Sequence, residues 1–323
     1  MGIAWGVLST ARIGARFVEG ASRTAGADVV AVASRSQGGA QAFAAAHGIP
    51  RAHGSYEALL ADPGVDAIYV PLPNGLHVEW TVRALQAGKH VLCEKPMDRR
   101  PAQVERAFKL AETRALVLSE AFMWRHNPQT ARLRELLDDG AIGELRLVRA
   151  AFSFMLAGET DVRLDSGLHG GALMDVGCYA VSGARFVAGG EPLRVMAEVV
   201  IGPTGIDMRL TGVLRFGNGL LATIDCGRDM TSRSELEVTG TEGRILLADP
   251  HCTAPRIVVE RGYRREIVEV APANSYTLEL EDMAAAIRSE RAPLLGRADA
   301  VGQARAIQAL YRSAAEGYAA SVG

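Results

Sequence analysis

Lys89-His90-Val91-Leu92-Cys93-Glu94-Lys95-Pro96-Met97 is the stretch that decides the fold. Val91 to Cys93 is a short apolar run that reads as a buried strand, and an acid, a base and a proline follow it without spacing. Parallel strands in open α/β sheets deliver ligand-binding residues at their carboxyl ends. Proline restricts the residue before it to extended conformations, which fixes the direction in which Lys95 leaves the strand. Taken alone, Glu94-Lys95 is equally well a surface pair closing a strand, so the surroundings must decide.

Outward from this stretch, apolar strands alternate with helices. Strand-like runs over 3–8, 29–33, 67–70 and 115–119 are interleaved with helical stretches ending near 25 and spanning 39–47, 56–61, 76–87 and 101–113. Asp62-Pro63-Gly64 closes one helix, and Gly88 is a good C-cap for the next. Strands that are apolar throughout, each followed by a helix, imply a doubly wound parallel sheet covered on both faces. The expected first domain is 1–122, an α/β dinucleotide-binding (Rossmann) domain.

Beyond it the grammar changes. Asn127-Pro128 caps and starts a helix through 137, ended by Asp138-Asp139-Gly140. From Glu144 onward come strand-like runs at 145–156, 195–201, 208–216, 220–226, 234–238, 257–260 and 267–270. Phe216-Gly217-Asn218-Gly219-Leu220 is a hairpin turn by its Asn-Gly pair, and Glu235-Leu236-Glu237-Val238 alternates as a strand with one wet face. The expected second domain, 123–323, is α+β with a large, open, mostly antiparallel sheet. Helices over 276–290 and 299–317 close the chain. The latter carries Val301, Ala304, Ile307, Ala309 and Leu310 and is expected to pack back on the first domain.

Composition bounds the function classes. A chain of 323 residues has room for two domains, and 48% hydrophobic against 22% charged content is ordinary for a soluble globular protein. A formal net charge of −2 gives no electrostatic basis for binding nucleic acid or an anionic membrane. Cys93, Cys178, Cys226 and Cys252 lie far apart and read as thiols in a reducing compartment. The start, Met1-Gly2-Ile3-Ala4-Trp5, has no basic n-region, and no apolar run is long enough to span a bilayer. A cytoplasmic protein is expected.

The first strand leads into Ser9-Thr10-Ala11-Arg12-Ile13-Gly14, a turn of small residues opening a helix. Such a turn lets backbone N–H groups approach a pyrophosphate at a helix N-terminus. The glycine positions of the fingerprint carry Ser9, Ala11 and Gly14, so the pattern is degraded; Ser9, Thr10, Ala11, Arg12 and Ile13 are the candidate contacts. At the end of the second strand, where NAD-binding folds place an acid for the ribose 2′-hydroxyl, stands Ser34-Arg35-Ser36, with no carboxylate between Asp28 and Glu57. Arg35 with Ser34 suits a 2′-phosphate, a planar donor fork facing a dianion. NADP is therefore expected in preference to NAD, against the alternative of a solvated arginine in a polar loop.

Five stretches, in order, carry a resemblance: Trp5 to Gly14, Tyr69-Val70-Pro71-Leu72-Pro73-Asn74-Gly75-Leu76-His77, Ala87 to Pro96, Glu120-Ala121-Phe122-Met123-Trp124-Arg125, and Gly170-Gly171-Ala172-Leu173-Met174-Asp175-Val176-Gly177-Cys178-Tyr179. They resemble the glucose-fructose oxidoreductase/inositol dehydrogenase (Gfo/Idh/MocA) family over essentially the whole chain. The wording is closest to its dihydrodiol dehydrogenase and NADP-dependent xylose dehydrogenase branch. The resemblance implies hydride transfer between a nicotinamide and a carbon bearing a hydroxyl or carbonyl, in a small carbohydrate-like substrate. It also implies a homodimer or higher homo-oligomer through the second sheet. By position it makes Lys95 the lysine beside the nicotinamide, Tyr179 the acid/base and Asp175 the acid of the accompanying motif. Asn74 and His77 match the stretch that lines the nicotinamide ribose; Pro71, Leu72, Glu94 and Arg125 are expected at the cofactor. A cis bond before Pro96 is a further expectation of the resemblance.

Hydride transfer needs a proton exchanged at the substrate oxygen. A tyrosine phenol, with a reference pKa of about 10, becomes a usable base when an ammonium favours its phenolate. That is the expected role of Lys95 toward Tyr179, with added stabilisation of a developing alkoxide. Asp175 would orient substrate hydroxyls or the lysine. Tyr179 could instead be a core tyrosine, Trp124-Arg125 a stacked structural pair, His126 and His169 polar rim, and Arg163 and Asp165 part of a solvated loop. The seven histidines show no ligand spacing, so no metal is expected, and no G-x-S-x-G elbow appears. Two rivals remain: a ketoreductase on a nucleotide-linked sugar, which would call for extra basic residues, and a non-catalytic nicotinamide-binding sensor, which need not keep Lys95, Asp175 and Tyr179 together.

Overall fold

The computed structural model describes residues 2–158, 161–250 and 256–323; Cys252 therefore lies outside the described residues. By contacts the chain divides into two compact units, Met1–Met123 with Asn274–Val301, and Trp124–Ala273 with Gly302–Gly323.

In the first unit, β1 (Ile3–Leu8), α1 (Arg12–Ala21), β2 (Ala27–Ala33), α2 (Gln37–His47), β3 (Arg51–His53), α3 (Tyr56–Leu60), β4 (Ala67–Val70), α4 (His77–Gln86), β5 (His90–Glu94), α5 (Pro101–Thr113) and β6 (Leu118–Ala121) follow one another. The six strands form one sheet in the order β3-β2-β1-β4-β5-β6, every pairing parallel. The order reverses between β1 and β4, the crevice where doubly wound folds bind ligands. The strands are apolar because both faces are covered: Trp5, Val7, Phe17, Tyr69 and Leu92 are all at most 1% exposed, and the Phe17 ring stacks on that of Tyr69 at 4.1 Å.

The second unit opens with α6 (Pro128–Asp138), capped by Asn127, whose side chain accepts from the Gln129 N–H at 3.0 Å. There follow β7 (Leu145–Ser153), α7 (Cys178–Ala188), β8 (Pro192–Ile201), β9 (Asp207–Phe216), β10 (Leu221–Gly227), β11 (Arg233–Gly240), β12 (Arg244–Ala248), β13 (Arg256–Arg261) and β14 (Arg264–Glu269). The chain then runs through α8 (Ser275–Ile287), which belongs to the first unit, and α9 (Arg297–Glu316), which crosses from the first unit into the second, and ends in β15 (Ala320–Ser321) of the second. The nine-stranded sheet runs β14-β13-β12-β11-β7-β10-β9-β8-β15. Only β7 and β10 are parallel neighbours; the other pairings are antiparallel. β9 alternates buried Leu210, Leu214 and Phe216 with exposed Arg209, Thr211, Val213 and Arg215, so one face packs inward and the other is wet.

Several elements differ from the sequence reading. α8, placed there in the second domain, groups with the first unit: its Leu280 and Met283 join the core around Phe17 and Trp5, and Thr277 Oγ1 donates to the Gly20 carbonyl at 2.9 Å. It is thus α8, and not the last helix as a whole, that returns to the Rossmann core; α9 begins in the first unit, and its residues from Gly302 belong to the second. β3, β12 and β15 go beyond the expected strands. So does a π-helical turn, Leu173–Gly177, leading straight into α7.

Candidate functional site

In the first unit the sequence-predicted residues gather at the carboxyl ends of the strands. Ser9 stands at the exit of β1, where its hydroxyl donates to the Pro71 carbonyl at the exit of β4 (2.9 Å) and accepts from the Ala11 N–H (3.2 Å). The serine that replaces a glycine thus staples the phosphate turn to the neighbouring strand across the switch point. α1 starts with no side-chain cap and no acid in its first turn, leaving its amino end free for an anion. Gly14 keeps the turn tight against the sheet: a Cβ there would meet the Phe43 ring at 3.3 Å and Val7 at 3.5 Å.

At the exit of β2, Ser34 donates its backbone N–H to the His53 carbonyl at 3.1 Å, and the Ser36 hydroxyl caps α2 by accepting from the Gly39 N–H. Arg35 between them is exposed, as is Arg12 at the start of α1. Among the described residues neither enters a salt bridge, in a chain where most surface arginines do. Two unspent guanidinium groups and an uncapped helix end are a donor set that fits a dinucleotide with an added phosphate.

β5 delivers Glu94, Lys95 and Pro96, and the Lys95–Pro96 bond is cis. Glu94 accepts from the Tyr69 hydroxyl at 2.5 Å and from the Lys95 N–H at 3.2 Å. Burial and the adjacent Glu94 carboxylate hold the Tyr69 phenol well above its usual range, so it stays a donor. His77, expected at the nicotinamide ribose, has both ring nitrogens engaged by backbone: Nδ1 faces the Pro96 carbonyl at 2.9 Å and Nε2 the Leu72 carbonyl at 2.7 Å. It is 1% exposed and ties the loop after β4, which carries Leu72 and Asn74, to the loop after β5.

The second unit holds its own cluster. Gly171, at φ +125°, leaves room for the buried Asp207 carboxylate, which a Cβ would meet at 2.0 Å; Asp207 in turn accepts from the Leu173 N–H at 2.6 Å and from the Tyr311 hydroxyl at 2.9 Å. This anchors the π turn carrying Asp175, and Tyr179 follows on α7. Gln303 of α9 donates to the Cys178 carbonyl at 2.7 Å and braces the same helix start. The half-buried Tyr179 ring meets Phe152 edge-on at 5.4 Å, and Phe152 lies 6.4 Å from Phe154.

Arg228, which the sequence reading passed over, completes the cluster. It is 1% exposed, pairs with Asp175 Oδ2, and stacks over the Phe154 ring at 3.7 Å. Arg163 Nε lies 3.7 Å from the same Asp175 oxygen, and Arg163 Nη1 lies 3.7 Å from Asp161. Only a weak signal for Arg228 exists in the sequence: the strand Leu221 to Gly227 ends directly in Arg228-Asp229, but Thr223 and Asp225 interrupt it, so it lacks the unbroken apolar run that precedes Glu94-Lys95. Glu279 of α8 was also passed over; burial, with Glu94 and Asp282 nearby, raises its carboxyl well above the usual range.

Trp124 is fully buried, edge-on to Phe186 at 5.8 Å, and the Arg125 guanidinium lies 4.9 Å from the Phe186 ring and 5.7 Å from that of Trp124. Asp165 caps a short turn by accepting from the Gly167 N–H. Cys93, Cys178 and Cys226 are buried free thiols.

Comparison with known proteins identifies the family. Residues 3–122 match the oxidoreductase family described as an NAD-binding Rossmann fold, and residues 130–246 match the GFO/IDH/MocA C-terminal domain. A D-xylose 1-dehydrogenase (NADP(+)) of Haloferax volcanii is 39% identical over 321 residues, covering 98% of each chain. A trans-1,2-dihydrobenzene-1,2-diol dehydrogenase of Xenopus tropicalis is 34% identical over 268 residues, 82% of this chain and 81% of that one. Among solved structures, the 3-ketoreductase KijD10 of Actinomadura kijaniata, in complex with NADP and TDP-benzene, superposes with a TM-score of 0.92 at 31% identity, covering 97% of this chain and 98% of that one.

Proposed function

The chain belongs to the Gfo/Idh/MocA family of oxidoreductases, and on that premise we propose that it moves a hydride between NADP and the hydroxyl- or carbonyl-bearing carbon of a sugar, polyol or dihydrodiol-like substrate. The observation that carries the reading is the carboxyl edge of the first sheet. There an uncapped α1, an exposed Arg35 without a salt bridge, and Lys95 leaving β5 stand together at the strand ends. NADP, when bound, supplies the hydride acceptor or donor.

The protein's part is the proton and the charge. In the oxidative direction Tyr179 takes the hydroxyl proton as the C–H hydride leaves, and in reduction it returns that proton to the oxygen. Lys95 favours the phenolate and stabilises negative charge on the substrate oxygen. Asp175 fixes substrate hydroxyls. A neutral substrate is favoured over a nucleotide-linked sugar by one feature of the second unit: both arginines beside Asp175 already face carboxylates, Arg228 that of Asp175 and Arg163 those of Asp175 and Asp161. A diphosphate would call for unspent and exposed guanidinium groups, and Arg228, whose Nε and Nη2 have no partner among the described residues, is 1% exposed. We further propose that the wet face of the nine-stranded sheet joins copies of this chain into a homodimer or higher homo-oligomer.

The test is a panel of pentoses, hexoses, inositols, dihydrodiols and a nucleotide-linked ketosugar, each with NADP and with NAD, followed at the nicotinamide absorbance. Turnover of a free sugar or polyol with NADP is expected. With that substrate, Tyr179→Phe and Lys95→Ala should each lower kcat by about a hundredfold or more. Wild-type kcat in either variant removes that residue from its role, and turnover of the nucleotide-linked sugar alone moves the assignment to the rival ketoreductase.

A further inference from the structure

The parallel pairing of β7 with β10 brings two strand ends to the same edge of an otherwise antiparallel sheet, and Arg228 leaves from one of them. The pairing continues past both strands: the Phe154 N–H donates to the Gly227 carbonyl at 3.1 Å and the Leu156 N–H to the Arg228 carbonyl at 2.8 Å. The Arg228 N–H donates to the Met208 carbonyl at 2.8 Å. Its backbone is thus pinned from both neighbouring strands, and its guanidinium lies between the Phe154 ring and Asp175.

The side chain is expensive where it stands. It is wholly buried, burial lowers its pKa, and its Nε and Nη2 have no hydrogen-bond partner among the described residues. For stability alone, an apolar pair in place of a buried ion pair is commonly neutral or better. The charged groups facing it are Asp175, Arg163 and Asp161, and of these Asp175 is the one it hydrogen-bonds.

We propose that Arg228 is a positioning residue: it holds the Asp175 carboxylate in one place and one orientation on the wide turn at the head of the helix that carries Tyr179. The inference rests on the functional reading above, in which Asp175 fixes substrate hydroxyls. Stacking on Phe154 fixes the plane of the guanidinium, the guanidinium fixes Oδ2, and Arg163 approaches the same oxygen from the exposed side. The carboxylate is then held at one angle, and hydrogen-bond geometry of this kind separates productive from unproductive substrate poses.

The test compares wild type, D175N, R228M and the D175N/R228M double variant on the best panel substrate, with NADP affinity measured by fluorescence. R228M is expected to lower kcat about ten- to a hundredfold, the worth of a charge-assisted hydrogen bond, with NADP affinity unchanged. In the D175N background the same substitution should cost less than about threefold, because its effect passes through Asp175. R228M within about threefold of wild type, or its full loss repeated on top of D175N, overturns the proposal. If R228M leaves Asp175 uncompensated and fails to fold, R228K supplies the single-site arm. It keeps the charge but not the planar stack, so a loss of about tenfold in kcat is expected and wild-type kcat overturns the proposal. A wild-type enzyme inactive on the whole panel defeats the functional reading and this inference with it. Variants that match an active wild type defeat this inference alone.

Discussion

Arg35 and His77 show how differently two predicted cofactor residues can be used. Arg35 is exposed and enters no salt bridge among the described residues, at the strand end where the 2′ position of the ribose is read. Arg35→Ala should therefore lower the ratio of kcat/KM with NADP to that with NAD by about tenfold or more, the worth of a hydrogen bond to a charged group; an unchanged ratio would return Arg35 to the solvent. His77 carries a structural load. Each ring nitrogen faces a carbonyl, but a neutral imidazole has only one N–H. Burial nevertheless dominates and pulls the pKa from 6.5 to about 4; the two carbonyls oppose it and the Lys95 ammonium adds to it. The folded state thus refuses a proton that the unfolded chain accepts below about 6.5. Stability from this source is fully present above that pH and is lost as pH falls toward 4. In urea unfolding, wild type should lose about 2 kcal/mol more between pH 7 and pH 5 than a His77→Gln variant. Parallel pH profiles would show that the ring is not held neutral by burial.

Elements were legible where their chemistry is local. Asn127 caps α6 through its own side chain. The Asn218-Gly219 turn closes with Gly219 at φ +83°, while the Asn218 side chain accepts from the Leu220 N–H. β1, β4 and the centre of β5 announced themselves because both faces of the sheet are buried and these stretches are apolar throughout. β3, Arg51-Ala52-His53, did not: it has no apolar run and exists because it pairs with β2. The π turn was illegible for a related reason. Leu173–Gly177 is an ordinary helical sequence, and its wide turn coincides with an anchor 34 residues away, where Asp207 takes the Leu173 N–H. The sequence places a helix over 276–290, yet nothing local says against which sheet it packs; the pairing of Leu280 and Met283 with Phe17 is tertiary information. At the candidate site the same division holds. Lys95 stands out in the sequence because it follows an unbroken apolar run that reads as a parallel strand, whereas Arg228 does not, because the strand before it reads as part of an antiparallel sheet, where strand ends carry no such expectation.

For the molecule as a whole, the wet face of the second sheet is the surface assigned to the proposed assembly. On β8 and β9 the exposed Met196 and Val213 stand opposite one another in register, with Val200, Ile201 and Leu221 also exposed. Charges are interspersed in both signs, Arg194, Arg209 and Arg215 beside Glu198, and Glu235 and Glu237 further across the sheet. A face that mixes exposed apolar side chains with both charges can complement itself about a twofold axis, where each contact occurs twice. A net charge of −2 on 323 residues puts little repulsion between copies. Wild type is therefore expected to scatter light as a dimer or larger at about ten micromolar, in the concentration range of ordinary stable complexes. Met196→Glu with Leu221→Glu, which puts like charges on both sides of the axis without placing them opposite one another in one chain, should shift the mass to that of one chain while the thermal midpoint of each chain's core transition stays near its original value, since both side chains are exposed. A wild type that remains a single chain at that concentration would refute the assignment of this face. A variant that keeps its assembly would move the interface to another surface.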